Sequence, residues 1–124
     1  MIRLVQRRLI IPQGDTGSFT IPTQGEVENG DKAVFAIFDN ITHKTVLEKT
    51  IDATPETLTF NFVSEDTMNL EPDERGSRYS WDITLLRNPL YDRDNELIHA
   101  DSVDSYYAAF GLPSCRITRV TRNV

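Results

Sequence analysis

The sequence predicts a mainly β protein: an antiparallel β-sandwich, Ig-like or jelly-roll-like, with one or two short helices. Three observations predict it. Short runs with an apolar residue at every second position recur at roughly ten-residue spacing. Gly, Pro, Asn and Asp separate them, the residues that turns require. The third is Ser77 to Leu86, where Tyr79, Trp81, Ile83 and Leu85 alternate with Ser80, Asp82 and Thr84. That is the period of a strand with one dry and one wet face. Trp81 is the single tryptophan. Hiding it removes roughly 200 Å² from water, about 5 kcal/mol before entropy is set against it. This stretch is expected as the central strand of the core.

In chain order, Ile2 to Ile11 reads as one strand whose alternation breaks at Leu9-Ile10-Ile11 and which ends at Pro12. Gln13 to Gly17 is a turn, and Phe19 and Ile21 mark a short strand stopping at Pro22. Gln24 to Asp31 is a loop with an Asn-Gly turn near its end. Lys32 to Asp39 is apolar on both faces, so it is expected to be covered on both sides or to meet another subunit. Thr45 to Ile51 is its hairpin partner. After the turn at Ala53 to Glu56, Leu58, Phe60 and Phe62 alternate with Thr57, Thr59 and Asn61, a half-buried strand. Ser64 to Leu70 starts like a helix of at most two turns, with Glu65 and Asp66 in its first turn.

Asn88-Pro89 stops the organising strand, and Glu96 to Ala100 returns as a brief one. In Asp101 to Phe110, Val103, Tyr106, Tyr107 and Phe110 fall at i, i+3, i+4 and i+7, one stripe of a helix ended by Gly111 and Pro113. The helix is preferred, with a strand as the alternative because Tyr and Phe also suit sheets. Cys115 to Val120 reads as a closing edge strand.

A chain of 124 residues suits a single domain over residues 1–124 with one core. Its single cysteine, Cys115, excludes an intrachain disulfide and a thiolate cluster, so folding needs no oxidising compartment. A net charge of −6 argues against nucleic acid as a partner. The absence of any apolar run of ~20 residues argues against a membrane helix. No secretory signal is visible in the residues from Met1, which lack an apolar h-region and cleavage site, so none is expected.

Charge is unevenly spread. Arg3, Arg7 and Arg8 open the chain and Arg116, Arg119 and Arg122 close it, around an acidic middle. They form a basic patch if the terminal strands lie side by side; the simpler reading is solvated faces and salt bridges to the middle. Tyr91, Tyr106, Tyr107 and Phe110 either present a contact surface or close one end of the sandwich.

Chemistry is poorly supported. His99 has Asp101, Ser102, Asp104 and Ser105 as sequence neighbours, but no nucleophile elbow surrounds either serine, and a capped helix start accounts for the same residues. Asp92, Asp94 and Glu96 resemble the start of a calcium loop. An EF-hand would need Gly and Glu where Leu97 and Val103 stand, which leaves only a looser surface site open. Asp15-Thr16-Gly17 lacks the flanking residues of an aspartic protease. No catalytic residue, cofactor or metal ligand is assigned.

Three stretches carry a family resemblance: Gln13 to Thr16 opening a strand, Asp66 to Pro72 running into Tyr79 to Ile83, and a tail at Val120-Thr121-Arg122. Together they resemble the small β-sandwich proteins of tailed-phage particles, such as the N-terminal domains of baseplate proteins. A longer segment replaces the family's Pro-Gly-x-Tyr turn, and Asp101 to Phe110 is an insertion. The resemblance implies a non-enzymatic virion component, made in the bacterial cytoplasm and repeated in a symmetric assembly. Its partners would be copies of itself and other virion proteins. A baseplate or tail adaptor is the leading reading, with Arg3, Arg7, Arg8, Tyr91, Tyr106, Tyr107, Phe110, Arg116, Arg119 and Arg122 at interfaces. A capsid decoration protein is one alternative. A carbohydrate-binding sandwich stacking sugars on Trp81 or the tyrosines is another, and the exposure of Trp81 discriminates between them.

Overall fold

The computed structural model describes residues 1–73, 75–107 and 111–119. Its larger sheet is built around β7 (Tyr79–Arg87), the strand that the alternation of Trp81 predicts. One side of β7 pairs antiparallel with β4 (Lys32–Asp39), placing Trp81 opposite Ile37 and Ile83 opposite Phe35. The other side is shared. Tyr79 and Ser80 pair with β11 (Ser114–Thr118), whereas Thr84 to Arg87 pair with β10 (Ser102–Ser105). β5 (Lys44–Asp52) flanks β4, and the hairpin of β1 (Arg3–Val5) and β2 (Arg8–Pro12) flanks β11, giving the order β1-β2-β11-β7-β4-β5.

A second layer, β3 (Gly17–Pro22) paired with β6 (Thr57–Phe62), lies across the inner face of β4 and β7. Phe19 places its ring 5.3 Å from Phe35 and 5.7 Å from Trp81, while Phe60 and Phe62 each stand 5.5 Å from Phe35. Strict alternation on both layers turns these rings inward, together with Leu9, Ile11, Leu58, Ile83, Cys115 and Ile117. Outward residues pair across the small sheet, as Thr20 does with Thr59 at 2.8 Å.

Several expectations are corrected. Ile2 to Ile11 is two strands, not one: the chain turns at Gln6 and Arg7, with Gln6 in the left-handed region (φ 57°), and the turn lets Ile2, Leu9 and Ile11 all reach the core. The sheet is mixed rather than wholly antiparallel, because β11 runs parallel to β2. β11 is therefore an interior strand and not an edge. The helix at Ser64 is a single turn, α1 (Ser64–Thr67). The amide of Gln13 takes the carbonyls of Met68 and Leu70 at 3.0 and 2.9 Å, and Thr67 accepts from the Gly14 N–H, so tertiary partners replace further helical ones.

The described part of Asp101 to Phe110 is not helical. Val103 pairs with Leu86, and Ser105 with Thr84, as strand β10. An open ladder edge on β7 outweighs a weak helical stripe, since strand pairing satisfies backbone groups on both chains. Phe110 lies outside the described residues. β8 (Leu90–Tyr91) and β9 (Leu97–His99) form a hairpin after β7. Tyr91 and Leu97 face Val34, Thr50 and Leu86 across a groove on the sheet's outer side, so the second apolar face of β4 is partly covered by its own chain.

Candidate protein-contact surface

The surface grows out of the same alternation that builds the core. On β2 and β11, Leu9, Ile11, Cys115 and Ile117 turn inward, which turns Arg8, Ile10 and Arg116 outward. Ile10 is the cross-strand partner of both Arg3 and Arg116, so these two arginines flank it on one face, with Arg8 beside them. The parallel β2–β11 pairing brings Arg3 and Arg8 from the start of the chain together with Arg116 from near its end. Arg7 occupies the adjoining turn. Its carbonyl accepts the Trp81 indole N–H at 3.0 Å, and its guanidinium lies 5.8 Å from the centre of the Tyr107 ring.

A shallow groove runs over this face past Val5, Gln6, Arg7, Arg8, Pro113 and Ser114, and continues to Arg75 and Arg116. Arg75 is delivered by the loop before β7. Asp73 anchors that loop through its N–H to the Ile117 carbonyl at 2.8 Å, and its carboxylate accepts the N–H groups of Arg78 (2.6 Å), Ser77 (2.9 Å) and Arg75 (3.1 Å). These bonds, the one from Arg78 foremost, hold its carboxyl below the usual carboxylate range.

The acidic middle spends its charge elsewhere. Asp31 pairs with Arg87 and Asp39 with Arg78, both at 3.1 Å, Asp66 pairs with Lys49 at 2.8 Å, and Asp52 pairs with Lys32. Among the described residues, Arg3, Arg7, Arg8, Arg75 and Arg119 have no carboxylate within ion-pair distance. Arg3, Arg7 and Arg8 at the start of the chain and Arg75 near them thus keep their charge uncompensated by carboxylates among the described residues.

The predicted tyrosines divide. Tyr106 and Tyr107 are buried and fill the gap on β7 between β10 and β11. Tyr107 meets the Trp81 ring at 5.2 Å and donates its N–H to Asp82 at 3.1 Å, while the Tyr106 hydroxyl accepts from the Gln24 N–H at 3.1 Å. Burial pushes the Tyr107 hydroxyl up. Tyr91 is remote from them, in the groove under the β8–β9 hairpin. Arg119 is exposed just beyond β11, and Arg122 lies outside the described residues.

No known protein family, curated protein or solved structure matches this chain.

The remaining polar constellations resolve into local structure. His99 lies 3.4 Å from Asp101 with both exposed, and Ser105 donates to Asp82 rather than to a base. Asp92 Oδ1 accepts the N–H groups of Asp94 (2.8 Å) and Glu96 (3.0 Å), which closes the β8–β9 turn. Among the described residues no three His, Cys, Asp or Glu side chains are grouped to hold a metal ion. Asp15 accepts the N–H of Thr16 in the turn before β3. Burial raises the Cys115 thiol to about 12, far from thiolate chemistry at neutral pH.

Sequence reasoning missed Arg75, which only the Asp73 loop brings to the surface, and Val5, half-exposed beside Arg7 and Arg8. It also missed a second surface. Leu90, Ile98 and Val103 are 57%, 62% and 60% exposed on the β8–β9 hairpin and β10, amid Asp92, Asp94, Glu96 and Asp104. Hydropathy in single short strands carries no sign of which face water will keep.

Proposed function

We propose that this chain is a non-enzymatic assembly component of a phage or prophage particle, built into the virion as a baseplate or tail adaptor. The observation that carries the reading is the group Arg3, Arg7 and Arg8 on β1, β2 and the turn between them, which has no carboxylate within ion-pair distance among the described residues of a chain of net charge −6. Such a face favours an acidic protein surface, and Arg suits that role through bidentate pairing with carboxylates. Two of the stretches behind the phage resemblance also meet in space: Gln13 and Gly14 hold the backbone and side chain of the Thr67 to Leu70 segment. Trp81 is fully buried and offers no stacking platform to a sugar, which favours assembly over carbohydrate binding.

The test is quantitative mass spectrometry of gradient-purified particles released from cells carrying the gene. The reading expects the chain in a fixed, multi-copy ratio to other particle proteins. Particles that lack it overturn the reading.

A further inference from the structure

We propose that copies of this chain associate head to tail, the acidic β8–β9 hairpin face of one copy docking on the arginine face of the next. The inference rests on the assembly reading and specifies its partner as a second copy. Two patches of one chain are complementary. The first presents Leu90, Ile98 and Val103 to water on segments that also carry the exposed Asp92, Asp94, Glu96 and Asp104. The second presents Val5, 50% exposed, beside Arg7 and Arg8.

The hairpin adds a separate argument. Only Leu90 with His99 and Tyr91 with Leu97 are paired in it, and a two-stranded ribbon is marginal by itself. Among the described residues nothing covers Ile98, so the hairpin spends its most apolar outward residue on solvent unless another surface meets it.

Charge then selects the orientation. Acidic face on acidic face, or arginine face on arginine face, sets like charges together, whereas the unlike faces attract. The docked patches are different, so the contact is heterologous and leads to a closed ring or an open filament. The hairpin stands over β4, β5 and β7, whereas the arginine face lies on β1, β2 and β11, so the two patches occupy separate parts of the surface and each stays free when the other is occupied.

Sedimentation equilibrium of the full chain tests this, with reversible self-association expected at a Kd on the order of 10–100 μM in ~50 mM salt. Raising salt to ~500 mM should weaken it at least about tenfold, because the rims are exposed and screened. The double variant Arg3→Glu, Arg8→Glu breaks one face, and Asp94→Asn, Glu96→Gln neutralises the other, so the two altered faces do not attract each other. Each should be monomeric alone, and their mixture should give a one-to-one dimer and nothing larger, since each retains one working face. Thermal melts within a few degrees of the parent show that the variants fold. A parent chain that stays monomeric to ~1 mM at low salt, or variants that still self-associate, overturns the inference. A monomer found in many copies in particles overturns the head-to-tail contact alone. Reciprocal pairing with no particle incorporation overturns only the virion reading.

Discussion

The β1–β2–β11 end and the β4–β7 centre belong to one sheet but treat their outer faces differently. At the centre, Val34 and Leu86 lie beneath the chain's own hairpin, and both sides of β4 are largely withdrawn from water. At the other end the outer face carries Arg3, Arg8 and Arg116 around Ile10, with no second layer above the groove among the described residues. Backbone pairing is continuous across both, so the difference lies in the outward side chains and in what covers them. One sheet can therefore supply a stable core and a contact face at once, provided its inner surface is apolar throughout. The inner face should control folding and the arginine face association, with little crossover.

The largest expected effect lies on the inner face. Trp81→Ala removes a fully buried ring and the indole bond to the Arg7 carbonyl. It should cost about 3–5 kcal/mol, and chemical denaturation with thermal melting checks it. A loss under 1 kcal/mol would mean that the inner face is not the stability-determining layer.

Next is the loop that carries Arg75. Asp73→Ala orphans the three N–H groups that its carboxylate accepts and should cost about 1–3 kcal/mol. The same residue contributes to acid sensitivity. Asp31 is held low chiefly by the N–H groups of Glu28 and Asn88. At Asp39, burial pushes upward, and Arg78 with the N–H groups of Ile41 and Thr42 outweighs it. Because these folded-state values lie below the ordinary carboxylate value of ~3.9, their stabilisation is present above that pH and is lost as pH falls through the lowered values. Melting temperature should be nearly flat from neutral pH to ~5 and fall below ~4. Asp73→Ala should make that acid limb shallower.

Tyr106→Phe sits where the two regions join. It removes the acceptor of the Gln24 N–H while keeping the ring, so a loss of about 1 kcal/mol is expected. Smallest of all, Arg8→Ala on the exposed outer face should change stability by under about 0.5 kcal/mol, measured by the same denaturation. A large loss there would show that the arginine face is part of the folding core.

How much of this was readable in the chain follows the range of each interaction. The strand at Trp81, the pairing of Lys32 to Asp39 with its hairpin partner, and the inward set Leu58, Phe60 and Phe62 all follow from a two-residue period. The gathering of the terminal arginines was readable only as a condition, that the end strands lie side by side; β2 and β11 meet it by pairing in parallel. The segment after Asp101 could not be read correctly, because Val103, Tyr106 and Tyr107 have helical spacing while the edge that captures them belongs to β7.

By itself, then, the sequence determined a β-rich chain with one aromatic core strand, since alternation is a local property of consecutive side chains. Tertiary structure alone decided that β11 lies inside the sheet, that Arg75 joins the arginine face, and that Ile98 stays in water. Those outcomes depend on which distant backbone edge each strand finds. Burial and charge compensation are settled by neighbours remote along the chain.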